Sequence, residues 1–320
     1  MKASKIGLQA LKLAVTAGLL WFVIDKFALG AVAERLRTMQ PFWAVAAIAA
    51  LLAQTIFAGL RWHHVGLLLG APISLRQAMR FTFIGQFFNQ VLPSSVGGDG
   101  VRTWLVSRSG VSIARAAVSI FCDRIAALVM LTIIVAAALP TLIIETDTQI
   151  PSIHTLALTL PALTALGLFF LFLFGTKLSS TLIKFRLTRP VGVLIRDLRI
   201  LLFTPTKSLS ITGLAFLVQL LTVLAIYLCA KGLNIDLNFA PILLLPLILL
   251  ISMVPISFAG WGLRETAMII GLGFAGIDSQ AALAISVAFG VAQIIVSLPG
   301  AAFAAIGTLS ERHISPESPF

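Results

Sequence analysis

The chain has 320 residues, 59% of them hydrophobic and 11% charged, with a formal net charge of +11. A soluble domain carries roughly 25% charged residues, so too few polar side chains remain here to cover a water-soluble core, and the apolar residues fall in long runs. A soluble enzyme and a nucleic-acid-binding domain are excluded: the 23 Lys and Arg, against 12 Asp and Glu, sit near the ends of apolar runs, as cytoplasmic loops beside anionic headgroups do.

The first apolar run covers 6–24. Lys2, Lys5 and Lys12 flank it, and Ala31-Val32-Ala33 resembles a signal-peptidase site. Because the run reaches back through Ile6 and Leu8 to near spanning length, a retained first helix is expected, with a cleaved signal peptide as the alternative. Further spans are expected at 41–60, 116–139, 155–175, 208–230 and 281–307, each about 20 residues long as a hydrocarbon core requires.

Two runs are shorter. Phe81 to Leu92 amounts to about 18 Å of helix, and Phe239 to Val254 to about 24 Å, interrupted by Pro246. Neither crosses a core of about 30 Å comfortably. Each ends at a proline, Pro93 or Pro255, and a glycine-rich loop follows. A short helix stopped in this way reads as re-entrant or broken, buried in protein or lining a water-filled cavity. The expected fold is an all-α polytopic membrane protein. It has six full spans plus two re-entrant hairpins, or eight helices by a looser count, in a single integral membrane domain over 1–320.

Loop charges orient the chain. Residues 176–210 contain Lys177, Lys184, Arg186, Arg189, Arg196, Arg199 and Lys207 against Asp197 alone, whereas 140–154 has Glu145 and Asp147 and no Lys or Arg. The positive-inside rule places the N-terminus and 176–210 in the cytoplasm and 140–154 outside. Segment 61–80, with Arg61, Arg76 and Arg80, reads as another cytoplasmic loop. Within 176–210, Val191, Leu194, Leu198, Leu201 and Leu202 share one helical face, which fits either an interfacial amphipathic helix or a solvated linker.

The two glycine-rich loops align with each other. PSSVGGDGVR at 93–102 matches PISFAGWGLR at 255–264, with Pro93/Pro255, Ser95/Ser257, Gly98/Gly260, Gly100/Gly262 and Arg102/Arg264 identical. After an offset, Gly110-Val111 aligns with Gly276-Ile277 and Ala116 with Ala282. The repeat units are about 78–139 and 239–307, each a short helix, a loop, a second short helix and a full span. Three spans separate the hairpins. If both are re-entrant, they enter from opposite sides and form an inverted repeat, whose interrupted segments point to a transporter's binding site near the midplane.

Charges inside a bilayer cost several kcal/mol each, about 3 by insertion scales, and so face a cavity or a partner. The candidates are Asp99, Arg102, Asp123, Arg124, Arg264 and Glu265. Gly97, Gly98, Gly100, Gly260 and Gly262 let backbone N–H groups approach a ligand. Helices starting after each loop aim their positive ends at an anion, and Arg102 and Arg264 complete a phosphate clamp. Gln86 and Asn89 line the same cavity. The acids line the path or hold a cationic headgroup. The bland alternative has the arginines snorkelling to the surface, Asp99 pairing with Arg102, and Asp123–Arg124 forming a structural ion pair.

No catalytic constellation is present. His63, His64, His154 and His313 show no metal spacing, there is no Walker A or GxSxG motif, and GGDG follows an apolar helix instead of a Rossmann strand. Trp62, His63 and His64 read as interfacial anchors at a helix end. Cys122 and Cys229 read as small core residues. No cofactor, metal or nucleic-acid partner is expected.

GQFFNQVLPSSVGGDGVR, the CDR at 122–124 and PISFAGWGLRE at 255–265 resemble the lysylphosphatidylglycerol synthetase transmembrane region, the flippase-like domain family of bacterial and archaeal membrane proteins. The resemblance covers nearly the whole chain. It implies a multi-pass plasma (inner) membrane protein that moves a phospholipid or lipid-linked headgroup between leaflets. Two-domain members of the family carry a soluble aminoacyltransferase domain that this chain lacks, so synthesis of lysyl-lipid is not expected. An aminoacylated phospholipid, another phospholipid, a hopanoid and a polyprenyl-linked sugar remain open as substrates. A transporter is the leading reading. An intramembrane enzyme using Asp99 or Glu265 as acid/base, and a non-catalytic membrane partner of a separate lipid synthase, are the alternatives.

Overall fold

The computed structural model describes residues 34–92, 97–145, 151–185, 187–253 and 262–312. These residues form ten helices, with a further helical stretch at 34–37, and no strand, as backbone polar groups in a bilayer require. In chain order the helices are α1 (Pro41–Leu68), α2 (Leu75–Val91), α3 (Gly97–Arg108), α4 (Ile113–Glu145) and α5 (Pro151–Lys184). They continue with α6 (Arg189–Phe203), α7 (Pro205–Gly232), α8 (Phe239–Ser252), α9 (Leu263–Gly273) and α10 (Ser279–Arg312). Five are long and apolar enough to cross a membrane, on α1, α4, α5, α7 and α10. They correspond to five of the six expected spans. The expected span at 6–24 lies outside the described residues, as do Pro93, Ser95 and the loop from 254 to 261 that includes Gly260.

Lipid tails are as apolar as leucine, so helices in a membrane associate through close packing and polar contacts. The α1–α7 pair shows both. Pro41 opens α1 at a position where its missing N–H costs nothing. The Gln40 backbone N–H donates to the Gly232 carbonyl at 2.8 Å and its side-chain amide to Asn234 Oδ1 at 2.7 Å, fixing the start of α1 to the end of α7. Ala47 and Ala50 on α1 are buried in one core cluster with Ala225, Cys229 and Ala230 on α7, and these small side chains allow close approach. The span on α10 is 67% buried and that on α5 only 6%, which puts α10 at the centre and α5 at the periphery. Phe169, Phe170 and Phe174 accordingly face outward from α5.

Segment 61–80 is not a loop. Helix α1 runs on to Leu68, with Arg61, Trp62, Val65 and Gly66 buried, and α2 begins at Leu75 behind a Ser74–Gln77 capping box. The helix passes through Arg61 because that charge has a partner inside the bundle. Segment 176–210 is likewise mostly helical: α5 continues to Lys184 and α6 fills 189–203. Leu194, Leu198 and Leu201 pack inward and Val191 is exposed. Asp197, the single acid of that segment, is buried and accepts from Arg115 of α4 and from Arg196.

The two units that the loop alignment relates have the same succession of elements. Helices α2, α3 and α4 correspond to α8, α9 and α10. Gly110 and Gly276, aligned in sequence, both adopt a positive φ, +92° and +78°, at the end of the second short helix. The next residues cap the long helices: Ser112 Oγ accepts from the Arg115 N–H and Asp278 from the N–H groups of Gln280 and Ala281. Packing is crossed between the units. Helix α2 lies against α10, and α8 lies against α4. The α2–α10 contact is tight at Gly300, where an added Cβ would collide with the Phe83 carbonyl. Gly300→Leu is therefore expected to destabilise the protein by about 1–3 kcal/mol or more through overpacking. Gly213→Leu, at a glycine with open space around it, is the matched control. Thermal unfolding in detergent should show a lowered Tm for the first and little change for the second.

Candidate functional site

Five of the intramembrane charges are gathered into one cluster. Asp99 stands in the first turn of α3, where the helix dipole favours a carboxylate. Its Oδ1 accepts from Arg102 Nη1 at 3.2 Å and from Arg124 Nη2 at 3.0 Å, and its Oδ2 from Arg124 Nε at 2.8 Å. Asp123 lies about 15 Å along α4, deeper than a residue at the start of a span. It accepts from Arg61 Nε at 2.8 Å and Nη2 at 3.3 Å, and Arg102 Nη2 stands 3.9 Å away. Arg61, Asp99, Arg102 and Asp123 are all buried, while the Arg124 side chain keeps 42% exposure. Arg102 also lies over the face of Trp62, 3.9 Å from the ring centroid, a cation–π contact made in a desolvated setting. Arg61, Arg102 and Arg124 against Asp99 and Asp123 leave one positive charge in excess.

A cavity of about 300 Å³ opens beside this cluster. Helix α1 contributes Gln54, Thr55 and Arg61, and α2 contributes Gln86, Asn89 and Gln90; α7 adds Gln219 and Thr222, and α10 adds Gln293. The positions on α2 are spaced i, i+3, i+4 and so share one face. Met253, at the end of α8, and Leu249 supply an apolar side. Buried atoms of three lining residues, Arg61 Nη1, Arg102 Nε and Thr82 Oγ1, have no hydrogen-bond partner among the described residues. Unpaired donors in a buried setting cost about 1–3 kcal/mol each, and such costs concentrate where a ligand or ordered water belongs.

The second unit forms a separate, neutral pair. Arg264 Nη2 and Nε donate to Glu265 Oε1 at 2.7 and 3.1 Å, and the Ser286 hydroxyl donates to the same oxygen at 3.1 Å. Glu265 Oε2 accepts from the Gly262 backbone N–H at 2.6 Å, across a residue with φ of +86° that suits glycine. Arg264 Nη1 donates to Gln293 Oε1 at 2.8 Å, and its guanidinium lies over Phe289. Arg264 thus touches a residue of the cavity wall, and Glu265 sits behind it.

Of the residues expected from sequence, Gln86, Asn89, Arg102, Asp123 and Arg124 line the cavity and Asp99 bridges two of them. Gly97, Gly98 and Gly100 are helical and do not form an open loop. Gly98 serves packing: an added Cβ would strike the Gly85 carbonyl, and its N–H donates to Asn89 Oδ1 at 2.8 Å. Arg102 and Arg264 are both 7% exposed, so neither snorkels to the surface. Trp62 is fully buried, and the interfacial-anchor reading of Trp62 gives way to a role under Arg102. Sequence reasoning missed Arg61 and the amides at 54, 90, 219 and 293. The signal was present in the spacing of Gln54, Ala58 and Arg61, which share one helical face within a run otherwise almost free of polar side chains.

The fold and the site together define a polytopic α-helical membrane protein with a charged cavity inside its helix bundle. The chain belongs to the family described as the lysylphosphatidylglycerol synthase TM region, whose profile matches residues 9–300. No curated protein matches the chain, and no solved structure does.

The cluster predicts a particular pattern of stability. Asp123→Ala leaves Arg61 without its partner, and breaking a buried pair in this way costs about 3–5 kcal/mol. The double variant Arg61→Met/Asp123→Leu removes both charges and is expected to recover most of that loss. Thermal unfolding of the wild type, the single and the double variant checks this, and a double variant no more stable than the single one contradicts it.

Proposed function

We propose that this protein is a flippase-like transporter that moves a phospholipid or lipid-linked headgroup between the leaflets of the plasma (inner) membrane. The observation that carries the reading is a polar cavity inside the bundle, with Arg61, Arg102 and Arg124 at one side and residues from seven helices around it. Guanidinium groups match phosphate oxygens in charge and geometry. Membership of a lipid-related membrane family supports a lipid as the ligand.

The repeat units 78–139 and 239–307 act as an inverted pair in this reading. Their hairpins α2–α3 and α8–α9 are re-entrant from opposite sides, and the N-terminus and α6 face the cytoplasm. The crossed packing of α2 on α10 and α8 on α4 supports it, because two units related by a pseudo-two-fold axis exchange neighbours in this way. Rocking of one unit against the other would then expose the arginines to each leaflet in turn. Transport is favoured over an acid/base reaction on a lipid phosphate because every carboxylate at the site is already engaged. Asp99 and Asp123 are held by guanidinium groups, and Glu265 by Arg264 and a backbone N–H. A carboxylate already bound to neighbouring guanidinium or backbone groups is not placed to take a proton from a bound lipid.

The test is movement of fluorescent phospholipids in proteoliposomes. Wild-type protein is expected to scramble an anionic phospholipid above the level of empty vesicles. Arg124→Gln, which leaves Asp99 paired with Arg102, is expected to lower that rate by about tenfold, the loss of one charge-assisted contact. Folded wild-type protein that moves no phospholipid would defeat the reading, and headgroup turnover by the purified protein would replace it with an enzymatic one.

A further inference from the structure

The polar groups left over in the cavity define which headgroup it accepts. Asp99 and Asp123 are each paired with arginine through both carboxylate oxygens, so their negative charge is compensated within the cluster. The excess charge at the site is positive, which repels an ammonium and attracts a phosphate. Away from the arginines the polar wall is neutral, made of amides and hydroxyls. The donors already in place fix how several of these amides point. The Gly98 N–H takes Asn89 Oδ1, and Arg264 Nη1 takes Gln293 Oε1. Thr55 Oγ1 is 2.9 Å from Gln86 Oε1. The NH2 groups of Asn89 and Gln293 remain as donors, whereas the Thr55 hydroxyl, with one proton, also meets the Leu51 carbonyl at 2.9 Å and lets Gln86 present either end. Gln219 is fixed the other way: its Nε2 donates to the Ala127 carbonyl at 3.2 Å, leaving Oε1 as an acceptor. Gln90 makes no hydrogen bond within the described protein and lines the same wall.

A wall offering both donors and acceptors without charge is complementary to hydroxyl groups, which also donate and accept; an ammonium only donates. We propose that the cavity selects a lipid whose headgroup is an anionic phosphodiester bearing neutral hydroxyls, a polyol or sugar phosphate, and that it rejects headgroups carrying an ammonium. The phosphate sits against Arg102 and Arg124, the hydroxyls against Gln86, Gln90 and Gln219, and the acyl end toward Leu249 and Met253. This deepens the transporter reading and rests on the cavity's being its lipid site.

Two measurements separate the inference from that reading. Binding of dihexanoyl forms of four lipids is followed by thermal stabilisation of the detergent-solubilised protein: phosphatidylglycerol, phosphatidylinositol, phosphatidylethanol and lysylphosphatidylglycerol. Phosphatidylethanol keeps the phosphodiester charge and lacks hydroxyls; the lysyl lipid adds ammonium groups. Movement of long-chain versions is measured in proteoliposomes. The expected result is that the glycerol or inositol lipid binds about tenfold more tightly than phosphatidylethanol and the lysyl lipid. Gln86→Leu/Gln90→Leu is expected to abolish that preference. Equal binding of phosphatidylethanol and phosphatidylglycerol, equal or better binding of the lysyl lipid, or no binding of any of the four to folded protein overturns the inference. Selective binding of the hydroxylated lipids with no movement of any lipid upholds the inference and defeats transport. Movement without headgroup preference does the reverse.

Discussion

Two carboxylates hold three guanidinium groups inside the bundle, and the arrangement of the surrounding helices follows from that need. A charge in the middle of a bilayer is costly unless it is paired. Asp123 on α4 therefore draws in Arg61 on α1, and Asp99 on α3 draws in Arg102 and Arg124. These pairs join α1, α3 and α4 where apolar side chains alone gain little from each other in lipid. They also explain why the bundle is not sealed. Five large charged side chains with limited mutual geometry cannot close-pack, and the space beside them is the cavity.

The same economy governs the second unit, with a different outcome. Arg264 and Glu265 are adjacent in sequence and satisfy each other, and Ser286 and the Gly262 N–H complete the carboxylate shell. The second unit's pair closes on itself; the first unit's charges on α3 and α4 also take in Arg61 of α1, which supplies the excess positive charge. The repeated arginine of the aligned loops thus occupies two electrostatic settings. The asymmetry puts the charged side of the cavity on α1, α3 and α4, and the second unit reaches the cavity through Gln293.

Much of the fold was legible in the sequence because membrane spans are set by one quantity, the length of an apolar run. The spans expected at 116–139, 155–175, 208–230 and 281–307 all fall inside observed helices. The alignment of Gly110 with Gly276 anticipated two turns of the same handedness. The failure at 61–80 has a physical cause. Arg61 looks like the end of a span when only local hydropathy is read, and its partner lies 62 residues away on another helix. Asp99, Asp123, Arg102 and Arg124 were legible because intramembrane charge is rare. The amides at 54, 90, 219 and 293 were not, because a single Gln in an apolar helix gives no hint of whether it faces lipid, a neighbour or a cavity. Glycine misled in one respect: at Gly98 the missing side chain serves contact between helices and leaves no backbone open to a ligand.

The contact at Gly98 has a mechanical side. Helices α2 and α3 meet there with no side chain between them, and the Asn89 amide bonds across the joint. Such a joint neither slides nor spreads without losing a partly buried hydrogen bond. The interfaces of α3 with α4 and of α1 with α4 are held instead by ion pairs on long, jointed side chains. Arg102, between Asp99 and Asp123, is able to change partner over a fraction of a helical turn. The joint of α2 with α3 is thus closed by backbone contact, whereas the joints of α3 and of α1 with α4 are made of side chains that can exchange partners.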